Sequence, residues 1–133
     1  MTYLMVNPPI KGEESFEIYS KERSAILESL KRKSIMIADA LDKIDGISCK
    51  RPRGAMYLFP KLELPLDKDY GGKPADFRFC EHLVRDAGIV TVDGSGFGQI
   101  EGTYHLRMTF LPPEEKIASI MNLFEQSYKK FIS

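Results

Sequence analysis

Arg107 stands at the middle of an alternating stretch, Tyr104-His105-Leu106-Arg107-Met108-Thr109-Phe110. Tyr104, Leu106, Met108 and Phe110 fall on one face of a strand, and His105, Arg107 and Thr109 on the other. An arginine on the polar face of a central strand is an anchored cation. Such a cation can grip a carboxylate or phosphate through two parallel N–H bonds. Just upstream, Gly94-Ser95-Gly96-Phe97-Gly98 sets three glycines at alternate positions. Without Cβ atoms they let the backbone turn sharply and approach a neighbour closely. The G-x-G-x-G spacing, with a strand rather than a helix after it, does not match a dinucleotide-binding fingerprint.

Each of these features also has a plain structural reading. The glycine loop serves equally as a tight connection, and an isolated arginine is more simply an ion-paired surface residue. His105 shares a face with Arg107, which makes it a candidate site residue, but it reads more simply as a solvated strand histidine, and His82, beside Leu83, as a surface or boundary residue. Two histidines without clustered ligand spacing argue against a metal site. No serine sits in a G-x-S-x-G elbow, so a catalytic triad has no support. Ala55, Tyr57 and Phe59 form a strand face that suits either a core or a cleft.

The surrounding elements must position these groups. The expected order is a long helix over 15–44, strands at 47–50 and 55–59, a helix over 76–87, strands at 89–92 and 104–110, and a closing helix. Ile26, Leu30, Ile37, Leu41 and Ile44 stripe the first helix, with Gly46 just past its end. Residues 63–75, with two prolines and two glycines, read as an irregular loop. Asp76 is placed to cap the next helix, which turns Phe77, Cys80, Val84 and Ala87 inward and ends at Gly88. Residues 89–92 read as a short buried strand. Pro112-Pro113-Glu114-Glu115 opens the last helix, striped by Ile117, Ile120, Met121, Phe124, Tyr128 and Phe131. Short connections favour antiparallel pairing. The expected architecture is α+β: a small antiparallel sheet with helices packed on one face, the other face carrying Arg107.

At 133 residues the chain is one domain or a piece of a larger protein, long enough to bury a real core. Nineteen basic and 19 acidic residues cancel, which argues against nucleic-acid or anionic-membrane partners. No apolar run approaches the length of a membrane span, and no signal peptide is visible. Cys49 and Cys80, without CxxC spacing, read as buried or reduced thiols of a cytosolic-type compartment. Residues 1–7 read as the tail of a helix stopped by Pro8-Pro9. The apolar run Tyr3-Leu4-Met5-Val6 suits a chain that continues upstream.

Several segments together resemble a known family. Asn7-Pro8-Pro9, Gly46-Ile47-Ser48-Cys49, Gly54-Ala55-Met56-Tyr57 with Phe59-Pro60, Gly88-Ile89 and Leu111-Pro112-Pro113 frame a more specific core. That core is Gly-Ser-Gly-Phe-Gly-Gln at 94–99, Glu-Gly-Thr-Tyr-His at 101–105 and Arg-Met-Thr at 107–109. The combination resembles the C-terminal small domain of the alanine aminotransferases, class I enzymes that use pyridoxal 5'-phosphate (PLP).

The resemblance implies that Arg107 binds the α-carboxylate of amino-acid and keto-acid substrates, with Phe97 reaching the cleft. It implies a small domain spanning 1–133 that closes over the cofactor when substrate binds. The PLP lysine, the phosphate cup and the acid on the cofactor's ring nitrogen would lie in an upstream large domain. The piece alone would then hold no catalytic or cofactor-binding residue, would be inactive by itself, and would form a cytoplasmic homodimer only when full length. A mitochondrial location stays open. One departure stands out: the family commonly has proline before the first glycine of the loop, and here the residue is Asp93. The alternative from a different class is a standalone, non-catalytic binding module with the same fold.

Overall fold

The structure, a computed structural model, describes residues 6–133. The expected helix tail over 1–7 lies largely outside them. The chain divides into two compact units, Met1–Arg32 and Lys33–Ser133. In the first, the Ile10 N–H donates to Glu13 Oε2 at 3.0 Å and the Glu13 N–H returns to the Ile10 carbonyl at 3.1 Å. This turn leads into helix α1, Phe16–Leu41. The apolar stripe predicted for α1 holds only towards its C-terminal end. Ile37 and Leu41 are buried, whereas Ile26 is 61% exposed. The helix stops at Leu41, so Gly46 does not cap it. Gly46 instead takes φ +85° in the turn before β1, where an added Cβ would meet the Tyr128 hydroxyl.

The second unit is an antiparallel sheet with helices packed on it. Its strands are β1 (Ile47–Ser48), β2 (Tyr57–Leu58), β3 (Lys61–Leu62), β4 (Val92–Asp93) and β5 (Tyr104–Thr109). The helices are α2 (Ala75–Ala87) and α3 (Glu114–Ile132), together with the end of α1. β5 is the hub, paired with β2, β3 and β4, while β1 extends the sheet beyond β3. β2 and β3 share one register against β5: Tyr57 faces Thr109, Leu58 faces Met108, Lys61 faces His105 and Leu62 faces Tyr104. Sequence reading ended this strand at Pro60 and missed β3. Proline has no N–H to give the ladder, but its carbonyl accepts from the Leu106 N–H at 3.2 Å, so the chain continues in register. The strand expected to begin at Ala55 starts two residues later. Ala55 adopts φ +58°, a left-handed conformation that cannot continue a strand.

The register separates two faces. Leu58, Leu62, Leu106, Met108 and Phe110 are buried beneath the helices. Tyr57, Phe59, Lys61 and Val92 are exposed on the other side, with His105, Arg107 and Thr109 half-buried among them. α2 buries Phe79, Cys80 and Leu83; of the predicted inward set Phe77, Cys80, Val84 and Ala87, only Cys80 is buried. Both sets have helical spacing, and the better phase is the one that also buries Asp76. Gly88 closes α2 at φ +67° as expected. α3 follows its predicted stripe closely, burying Ile117, Met121, Phe124 and Tyr128. Phe79 meets Phe124 and Tyr128 edge-on, at centroid distances of 5.9 and 5.6 Å. The strand expected over 89–92 is displaced to Val92–Asp93 and lies at the surface, with Val90 78% exposed.

Candidate functional site

The site is built on β5. Val92 faces Arg107 from β4, and the shared register of β2 and β3 sets Phe59 opposite it on the other side. Two rings flank the guanidinium: its Cζ lies 4.9 Å from the Tyr57 centroid and 5.0 Å from that of Phe97. Stacking on aromatic faces leaves the in-plane N–H donors of an arginine available. Among the described residues no carboxylate forms an ion pair with Arg107. The surface-ion-pair reading therefore has no partner here, whereas Arg51 does pair with Asp39 at 2.7 Å. Phe59 joins the wall, 5.9 Å from Phe97 edge-on and stacked on the His105 ring at 5.0 Å.

Asp76 holds the glycine loop in place. It was expected to cap α2, but Pro74 occupies the N-cap and the Asp76 side chain is fully buried inside the first turn. Its Oδ2 accepts from the Ser95 N–H at 2.9 Å and from Gln99 Nε2 at 2.7 Å. Its Oδ1 accepts from the Ser95 hydroxyl and, at 3.0 Å, from the Phe77 N–H. Gln99 Oε1 in turn meets His105 Nδ1 at 2.9 Å. His105 is thus not the solvated strand residue read from sequence. Burial first, and the nearby Lys61 charge second, push its pKa below the ordinary histidine value, with Asp76 opposing. Sequence reasoning missed both the Asp76 and Gln99 roles. The available signal was Gln99 within the specific Gly-Ser-Gly-Phe-Gly-Gln run; nothing local linked it to an acid 23 residues earlier.

The loop, Gly94–Phe97, is one short 3₁₀ turn. At Gly94 an added Cβ would lie 2.5 Å from Gln99 Oε1 and 2.8 Å from His105 Cβ, so only glycine allows this approach. Asp93, where the resembling family has proline, takes φ −64° and accepts from the Gly96 N–H at 3.2 Å. That φ is the value proline imposes, and the carboxylate adds a cap that proline cannot make.

No protein-family model matches the sequence. Curated relatives do. A probable mitochondrial alanine aminotransferase of Dictyostelium discoideum is 42% identical over 98% of this chain. The chain is a relative of the alanine aminotransferases. It spans about a quarter of the length of the curated relatives it matches, 25% in that case. A glutamate–glyoxylate aminotransferase of Arabidopsis thaliana is 41% identical over 98% of the chain and 28% of its own length. In three dimensions, an alanine aminotransferase from Pyrococcus furiosus matches with a TM-score of 0.68 and 37% identity, over 84% of this chain and 26% of that one. The α+β architecture is that of an aminotransferase small domain. The word mitochondrial in the Dictyostelium name lends no support to the cytoplasmic expectation, which had left a mitochondrial location open.

Aminotransferase likeness implies PLP, and the described residues do not assemble a site for it. PLP needs a phosphate cradle, an acid for its ring nitrogen and an anchoring lysine. Three of the glycine loop's N–H groups are already used: Ser95 donates to Asp76, Gly96 to Asp93 and Gly98 to the Ser95 carbonyl. Asp76 is buried with both oxygens engaged. Among the described residues no group of His, Cys, Asp and Glu could hold a metal ion, and no helix is long and apolar enough to cross a membrane.

Proposed function

We propose that residues 1–133 form the small domain of a PLP-dependent aminotransferase, acting on alanine and 2-oxoglutarate, in which Arg107 binds the substrate α-carboxylate. The observation that carries this reading is the setting of Arg107: fixed on the hub strand, flanked by Tyr57 and Phe97, and without a carboxylate partner among the described residues. A carboxylate meeting the free edge of the guanidinium is held in one plane, which orients the bond to be broken. Glutamate, 2-oxoglutarate, alanine and pyruvate all carry that carboxylate, so one arginine serves both half-reactions. Phe97 and Tyr57 wall the grip and keep water from its faces. The cofactor's own contacts belong to an upstream large domain in this reading, and the full-length protein is a homodimer.

Replacing Arg107 with lysine in the full-length protein tests the assignment. A charged hydrogen-bonded pair contributes about 1.5–3 kcal/mol, so Arg107→Lys should lower kcat/KM about ten- to a hundredfold. The PLP absorbance should survive. Unchanged kcat/KM would remove Arg107 from the site. Substrate preference has a second reading, because a relative named for glutamate and glyoxylate is as similar as those named for alanine. Comparing pyruvate with glyoxylate as amino acceptor decides between them. A third outcome, no transamination with any keto acid, would favour the non-catalytic binding module.

A further inference from the structure

Ser95 and Gln99 lie on either side of Phe97, and both are tied to the same buried carboxylate. That double attachment pins the short segment that carries the ring against Arg107. The second branch of the network is equally specific. Asp76 Oδ2 already accepts the Ser95 N–H at 2.9 Å, so the Gln99 group that faces it at 2.7 Å is its NH₂. The Ser95 hydroxyl donates to Asp76 Oδ1, so it also receives the Gln99 NH₂, at 3.2 Å. The Gln99 oxygen is therefore the atom that faces His105 Nδ1, and that nitrogen must carry a proton. Hydrogen-bond chemistry alone fixes the amide orientation and the imidazole tautomer. The same ring lies parallel to Phe59, at 7°, and Phe59 abuts Phe97.

We infer that Asp76, through Ser95 and Gln99, is the positioning residue of the Arg107 site: it holds Phe97 over the guanidinium and locks His105 as its Nδ1–H form to support the Phe59–Phe97 wall. This deepens the proposed function and rests on it for its effect on substrate, though not for its effect on the imidazole. Asp76 touches no substrate in this account. It acts by holding the wall that orients the arginine.

The test uses the full-length protein, labelled with ¹⁵N-histidine, beside its Gln99→Leu variant. Wild type should show His105 protonated at Nδ1 at pH 8, and Gln99→Leu should shift the ring to the Nε2–H form. In steady-state kinetics the variant should raise KM about tenfold for amino and keto acids, with kcat changed less than threefold, because a loosened grip weakens ground and transition states alike. Should Gln99→Leu fail to fold, Ser95→Ala, which keeps the backbone N–H bond to Asp76, should give the same KM-against-kcat split. An Nε2–H ring in wild type overturns the network, and an unchanged KM in a folded variant overturns the positioning role. If wild type does not transaminate, the proposed function fails, and the ring's tautomer still decides for or against the network.

Discussion

The His105 imidazole sits where a second positive charge is unwelcome, half-buried near Lys61 with Arg107 two residues along the same strand face. Its pKa is lowered on folding, so below the unfolded value of about 6.5 the unfolded chain binds more protons than the folded one. The stability this neutral ring gives is present above that pH and is lost as pH falls through the folded value. Thermal unfolding should therefore show wild type losing more stability between pH 7 and pH 5 than His105→Gln; parallel profiles would argue that the ring is free of its surroundings. Sequence alone put His105 and Arg107 on one face, because alternation is a local property of a strand. It gave His105 to solvent, because the Gln99 contact and the Phe59 stack arise from residues brought in by a loop and a neighbouring strand. The thiols show the same division. Both were read as buried or reduced; the structure buries them, and burial pushes Cys49 and Cys80 up to about 11, a range in which thiolate is scarce at neutral pH.

At the level of the loop, Gly94 is chosen by crowding and not by its dihedral. Gly94→Ala drives a methyl group into Gln99 and into the His105 backbone oxygen, 2.9 Å away. It should cost about 1–3 kcal/mol in denaturant unfolding, whereas Gly54→Ala, with nothing within 4 Å of the new atom, should cost little. Equal effects at the two positions would refute the packing argument. The helices show what patterning can and cannot settle. α3 was legible because one apolar stripe dominates and Pro113 opens it. α2 was read in the wrong phase because Phe77 and Val84 are as apolar as Phe79 and Leu83, and only the elements packed against it, α3 among them, decide which pair is covered. Asp76 looked like a cap for the same reason: a capping acid and a loop anchor have one sequence signature at a helix start.

The fold rests on a buried layer in which α2 and α3 meet. Phe124 is fully buried and meets Phe79 edge-on at 5.9 Å, so Phe124→Ala should cost about 3–5 kcal/mol through lost burial and the cavity left behind. A denaturant midpoint near that of wild type would mean that the layer closes over the gap. Locally encoded features were readable from the chain: the strand alternation, the glycine loop, the proline-led last helix, the α+β class, and the specific run of residues that pointed to an aminotransferase small domain. They were readable because each depends on neighbours a few positions apart. Long-range contacts decided the rest. The register carried past Pro60, the phase of α2, and the link from Asp76 through Gln99 to His105 all join residues distant in sequence. Their selection depends on which arrangement buries the most apolar surface while leaving no carboxylate unsatisfied.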